Sequence, residues 1–170
     1  MNAMLGCALA GARSTVVFGG NAIAQQKAGT LAEQLQGHWS LVSVINEEDG
    51  KRVESFGPSP RGLYIFDRSG RYALQMYRSD LPKFASNNRA TGTAEENKAV
   101  VQGSLAHFGT YTVNEKEGTF IVSPEGSSYP NWTGVEQPAR KFVINGDELK
   151  IANPASSRTG STYLTFKRLR

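Results

Sequence analysis

From Trp39 onward the chain alternates with a period of two: Trp39, Leu41, Ser43 and Ile45 fall on one face, and Ser40, Val42 and Val44 on the other. Both faces are largely apolar, which predicts a strand covered on each side. After a turn at Asp49-Gly50, "RGLYIFDRSGRYALQMYR" reads as a hairpin, with strands over 63–67 and 72–77 joined at Ser69-Gly70. Five further segments alternate in the same way: "FGTYTVNE", "GTFIVSPEG", "EQPARKFVING", "ELKIAN" and "STYLTFKRLR". Turns separate them at 116–118, at 145–147 and around 154–160.

Two stretches break the alternation with helical spacing. Thr30 followed by Glu33 is a capping-box pair that predicts a short helix over 31–36, stopped by Gly37. Thr93 with Glu96, and Glu95 beside it at the positive helix end, predicts a longer helix over 94–106 with Val100, Val101 and Leu105 as its apolar positions. The sum is eight mostly antiparallel, sequentially connected strands with few helices, a mainly β chain. An up-and-down barrel suits it because closure removes the exposed edges an open sheet would leave.

Composition narrows this picture more than it redirects it. A chain of 170 residues suits one domain with a core of its own, here 30–170, and its 18 glycines punctuate the alternating segments as a sheet-rich fold requires. The first 24 residues differ: they hold no acidic residue, are rich in small and apolar ones, and end in Ala22-Ile23-Ala24. That is the pattern of a secretory leader cleaved after Ala24, or else of a disordered tail. Cleavage predicts a periplasmic or secreted protein; a leader that does not function leaves it cytoplasmic. Removal of Arg13 and Cys7 takes the formal charge from +4 to +3 and leaves no cysteine, hence neither disulfides nor thiolate chemistry. Scattered basic residues at that charge make no nucleic-acid footprint, and no apolar run beyond residue 24 is long enough to span a membrane as a helix.

In an eight-stranded barrel the first strand pairs with the last. Gly37-x-Trp39 opens the first, and Leu164, Phe166 and Arg168 share a face of the last. A guanidinium stacked on an indole is a favourable cation-π pair, so Trp39 and Arg168 are expected to plug one end of the barrel. With "LQGHWSLVS", "GRYALQMYR", "PKFA", "EENKAVVQGSLAHFGTYTV", "EGSSYPNWTG" and "ELKIANP", these features resemble the lipocalin-like domain family of bacterial and fungal proteins, in the wider calycin group. The resemblance spans residues 33 to 169 and implies a lipocalin-like barrel; it implies no particular activity. His107 departs from it, since a tyrosine is expected more often before "FGTY".

Function must then come from side chains facing the interior. Tyr64, Gln75, Tyr77, His107, Tyr111, Tyr129, Trp132 and Arg140 form the polar-aromatic set that alternation could bring to a cavity. Tyr129 and Trp132 in "EGSSYPNWTG" are expected to cover the barrel mouth or pack under the neighbouring helix, with Pro130 fixing the turn. Arg140 either makes a surface ion pair or meets a carboxylate on a ligand. Two functions follow: carriage of a small, largely apolar molecule, or an isomerase- or cyclase-type cavity enzyme with His107 or Tyr111 as acid or base and Glu125 assisting. No cofactor is expected. The two histidines are isolated, so neither is a metal site, and the nucleophile-elbow, P-loop and dinucleotide-binding motifs are absent.

Overall fold

The computed structural model describes residues 29–154, 157 and 160–170. The leader-like segment 1–24 lies outside the described residues.

Capping decides where the two helices begin. In α1, Leu31–Leu35, Thr30 accepts from the Glu33 amide and the Glu33 carboxylate accepts from the Thr30 amide, at 3.2 and 2.9 Å. The same reciprocal box, Thr93 with Glu96, starts α2, Ala94–Gly103. The strands are β1 (Gly37–Glu48), β2 (Lys51–Glu54), β3 (Arg61–Phe66), β4 (Arg71–Tyr77), β5 (Ser104–Asn114), β6 (Thr119–Ser127), β7 (Arg140–Asn145), β8 (Glu148–Asn153) and β9 (Ser161–Arg168). From β3 to β9 each strand pairs antiparallel with the next, and β1 pairs with both β3 and β9. These eight strands close the barrel. The eight-stranded barrel is as expected; a ninth strand, β2, is additional, folded back by the Asp49-Gly50 turn on the upper part of β1, pairing Ile45 with Glu54 through Glu48 with Lys51, outside the closed ring.

Three other expectations shift for physical reasons. A bulge between Leu41 and Ser43 inserts Val42 into the β1–β9 ladder and inverts the pleat. Trp39, Leu41, Val44 and Asn46 therefore face inward, and Val42 is exposed. The apparently two-faced strand is a single apolar face in two phases. Next, α2 ends at Gly103 and not at residue 106. Its last turn is closed by the Ser104 hydroxyl donating to the Val100 carbonyl at 2.6 Å, and from there Leu105 pairs with Met76 as part of β5. The gain from ladder bonds and an inward-facing leucine overrides the helical spacing. Finally, α1 stops one residue early, at Leu35.

The two ends of the barrel are built differently. The lower end carries α1 and the short β3–β4, β5–β6 and β7–β8 turns; the upper end carries β2, α2 and the long connections 55–60, 128–139 and 154–160. Below, Tyr64, Phe66, Phe120 and Phe166 are fully buried and packed ring on ring, with Tyr64 and Phe66 centroids 4.1 Å apart. This half of the barrel is filled.

Candidate functional site

At the lower end the side chains satisfy one another. The Trp39 indole donates to the Leu35 carbonyl at 2.8 Å, and the Arg168 guanidinium lies 4.0 Å from the Trp39 ring centroid. Its two terminal nitrogens donate to the carbonyls of Gln36 and Gln34, at 2.9 and 2.6 Å, so the charge also caps carbonyls at the C-terminal end of α1. Gly37 permits this crossing. Its φ is +123°, and a Cβ there would sit 3.0 Å from an Arg168 nitrogen.

The upper half holds a cavity. Val44, Phe56, Leu74, Met76, Leu105, Ile151 and Leu164 supply apolar wall, and Asn46, Tyr64, His107, Arg140, Asn153 and Thr162 interrupt it with polar groups. Trp132 and Ser157 also border the space, and its free volume is about 40 Å³. A larger groove of about 500 Å³ lies outside the ring between β2, the loop at 78–82 and α2. Its charged walls include the solvent-exposed Arg78–Asp80 pair, so it lacks the apolar enclosure of a small-molecule site. Asn46 borders both spaces, with Ser55 donating to its side-chain oxygen at 2.8 Å.

The polar groups of the cavity are unusual in what they lack. Arg140 is 3% exposed and opens β7, level with Phe120. One terminal nitrogen, Nη1, reaches the Tyr64 hydroxyl at 3.4 Å, a long contact, while Nε and Nη2 have no hydrogen-bond partner among the described residues. The ring of Trp132 lies 5.9 Å from the guanidinium carbon. His107, also 3% exposed, has its Nδ1 2.8 Å from the Tyr72 hydroxyl and its Nε2 unpartnered. The remaining unpartnered buried atom among the described residues is Thr162 Oγ1. The three residues that carry these four atoms all line this one cavity.

Burial decides the protonation states. It pushes the His107 pKa down to about 3, with the Arg140 charge adding to the effect, so the imidazole is neutral near pH 7. Burial raises the Tyr64 pKa to about 12 against the opposing influence of Arg140, and raises that of Tyr72 as well. Arg140 is thus the single cation lining the cavity among the described residues.

Of the residues singled out from sequence, Tyr64, His107, Trp132 and Arg140 meet at the cavity. Tyr129 stands behind it: its ring makes an edge contact with Trp132 at 5.7 Å and faces a side recess beneath the end of α2. The structure places the other four candidates away from the cavity. Gln75 and Tyr77 lie on the outer face of β4, where the Tyr77 hydroxyl donates to Gln75 at 3.3 Å, because the buried phase of that strand is Tyr72, Leu74 and Met76. Tyr111 points inward but at the closed end, packing on Phe66 and donating to the Asp67 carbonyl at 2.8 Å. Glu125 is outside the barrel. It is the extra residue of a β5–β6 bulge at Phe108/Gly109, which turns its carboxylate toward Arg71 at 2.6 Å. His107, Tyr111 and Glu125 therefore do not form one acid-base group.

Sequence reading missed Asn46, Phe56, Met76 and Thr162. Asn46 was hidden by the bulge in β1, and Phe56 sits in a loop with no periodicity to place it. Thr162 had a usable signal, since it continues the Leu164, Phe166 face by two residues.

A closed antiparallel barrel with a Trp-Arg plug after a short helix is now matched by a family comparison: the profile described as a lipocalin-like domain covers residues 36–169. The chain belongs to the lipocalin-like domain family. No curated protein sequence matches it. The matched span of this lipocalin-like domain runs from the residue after α1 to Leu169, one past Arg168, so both the plug and the cavity lie within it. No helix among the described residues is long and apolar enough to cross a membrane, and no cluster of three or more metal-ligating side chains occurs among them.

Proposed function

We propose that this lipocalin-like domain binds and carries a small, largely apolar molecule in the upper half of its barrel. The observation that carries the reading is the convergence of four unpartnered buried polar atoms on one apolar-walled cavity. Native proteins leave few such atoms, because each costs about 1–3 kcal/mol, so a cluster of them calls for an absent partner. The family's barrel fold supports the same reading.

The free volume sets a condition on it. About 40 Å³ holds a few water molecules, whereas small-molecule sites enclose roughly 300–1,000 Å³. Binding therefore requires the wall to move. The parts suited to do so belong to connections and not to the ladder: Phe56 in the 55–60 loop, and Trp132 in the short 3-10 turn Pro130–Trp132. Part of the proposal is that the domain works outside the cytoplasm, after loss of the leader-like segment; N-terminal sequencing of the natural protein starting at Gln25 is the expected result.

Native mass spectrometry of the protein from its own producer, against its denatured mass, tests carriage directly. A discrete excess mass lost on denaturation is expected. Trp132 supplies a second readout, because a ligand entering beside Arg140 changes the surroundings of that indole; a fluorescence change present in wild type and missing in Trp132→Phe is expected. An unliganded protein that no apolar probe perturbs would refute the reading.

A further inference from the structure

We propose that the ligand carries a carboxylate, and that this carboxylate is received by the free edge of Arg140, with His107 and Thr162 beside it. The inference rests on the reading that the cavity takes a ligand, and it specifies the chemistry of that ligand.

The geometry of the guanidinium argues for a carboxylate. Nη1 is the nitrogen turned to Tyr64; the unpartnered pair is Nε and Nη2. Those two nitrogens form one edge of the planar group, and their parallel N–H bonds match the two oxygens of a carboxylate. The four ion pairs among the described residues join Arg71, Arg78, Lys150 and Arg170 to carboxylates at the surface, and none involves Arg140. An unpaired buried guanidinium costs several kcal/mol, far more than the long Tyr64 contact and a Trp132 face at 5.9 Å return.

Charge counting favours one negative charge over two. His107 is neutral, so the described wall offers a single cation, and a phosphate dianion would bring a second charge with nothing to meet it. The two neighbouring groups suit a carboxylate as well. In the tautomer in which the Tyr72 hydroxyl donates to Nδ1, the imidazole proton resides on Nε2 and faces the carboxylate as a donor, and Thr162 Oγ1 adds a hydroxyl donor. Val44, Leu74, Met76, Leu105 and Leu164 leave the rest of the ligand an apolar environment. The class implied is an amphiphilic monocarboxylate.

The test compares four probes with the same chain and different heads, octanoate, 1-octanol, octylammonium and octyl phosphate, titrated calorimetrically into the full-length protein at fixed ionic strength. Octanoate is expected to bind at least about tenfold more tightly than 1-octanol, the scale of one hydrogen-bonded charge, with octylammonium weakest. Arg140→Met should abolish the preference, so that octanoate binds no more tightly than 1-octanol to the same variant; Arg140→Lys, which keeps the charge but not the fork, should fall between. A circular dichroism spectrum and urea transition for each variant establish that it is folded. Equal binding of octanoate and 1-octanol, or octanoate binding indifferent to Arg140→Met, overturns the carboxylate while leaving apolar carriage standing. Tighter binding of octyl phosphate overturns it in favour of a phosphate head. If no probe binds, the natural ligand found by mass decides: a carboxylic acid supports the inference, a neutral molecule overturns it, and no bound molecule at all removes the carriage reading with it.

Discussion

Two arginines, twenty-eight residues apart, show how differently the two ends of this barrel are finished. Arg168 lies across the lower end with an indole face at 4.0 Å and two backbone carbonyls at 2.9 and 2.6 Å, so its charge is compensated within the chain. Arg140 lies at the base of the upper cavity, more deeply buried, with one long hydroxyl contact and two nitrogens idle. The first is a charge satisfied within the chain; the second, on the proposed reading, is held for a ligand. A barrel that filled both halves with aromatic rings would be more stable and would have nothing to bind; on the proposed reading, the underfilled upper half trades stability for a site.

The comparison can be broken at several points. The largest effect is expected at the lower end, where Trp39→Ala removes a fully buried indole together with its bond to Leu35 and should destabilise the fold by about 3–5 kcal/mol in urea denaturation. A loss under about 1 kcal/mol would mean that the plug contributes little. Next, the same substitution should act with opposite sign on the two arginines. Arg140→Met should leave stability unchanged or raise it by about 1–4 kcal/mol, since an uncompensated buried charge is replaced by a residue suited to an apolar wall. Arg168→Met should lower it by about 1.5–3 kcal/mol through loss of its charge-assisted hydrogen bonds. Matching signs would end the distinction between them.

A smaller effect concerns pH. The folded protein holds His107 neutral down to about pH 3, whereas the unfolded chain protonates it near the ordinary histidine value of 6.5. Between those limits the unfolded state binds the extra proton, so stability is full above pH 6.5 and falls as the pH drops. From pH 6.5 to 5 the expected loss is about 1–2 kcal/mol. The lowered carboxylates Asp67, Asp80, Glu96 and Glu125 add their own loss only at lower pH. Urea midpoints of wild type and His107→Gln over this window should diverge, with the slope flattened in the variant. The smallest effect sharpens the boundary of the site: Gln75→Ala, on the outer face of β4, should leave octanoate affinity unchanged within error, and a marked loss would place the ligand outside the barrel.

Legibility differed between these regions for a physical reason. The lower end was readable because its parts are local or fixed by closure: a capping box, a Gly-x-Trp just after it, and a last strand that an antiparallel barrel must bring beside the first. The mainly β fold was readable from alternation alone. The upper site was readable only in pieces. Tyr64, His107, Trp132 and Arg140 were named among its candidates, yet Gln75, Tyr77 and Glu125 were named beside them, since a one-residue change of phase moves a side chain to the opposite face.

What the sequence by itself determined is the period of each segment, the two helix starts and the order of strands, because these follow from local spacing and capping. What only the tertiary structure decided is phase and neighbourhood. The bulges at Val42 and Glu125 settle which face looks inward, and cross-strand pairing turns Ser104 to Ala106 from helix into strand. Closure sets Arg140 near Tyr64, His107 and Trp132 with no carboxylate partner among the described residues, and a missing partner is visible only once the strands have been placed side by side.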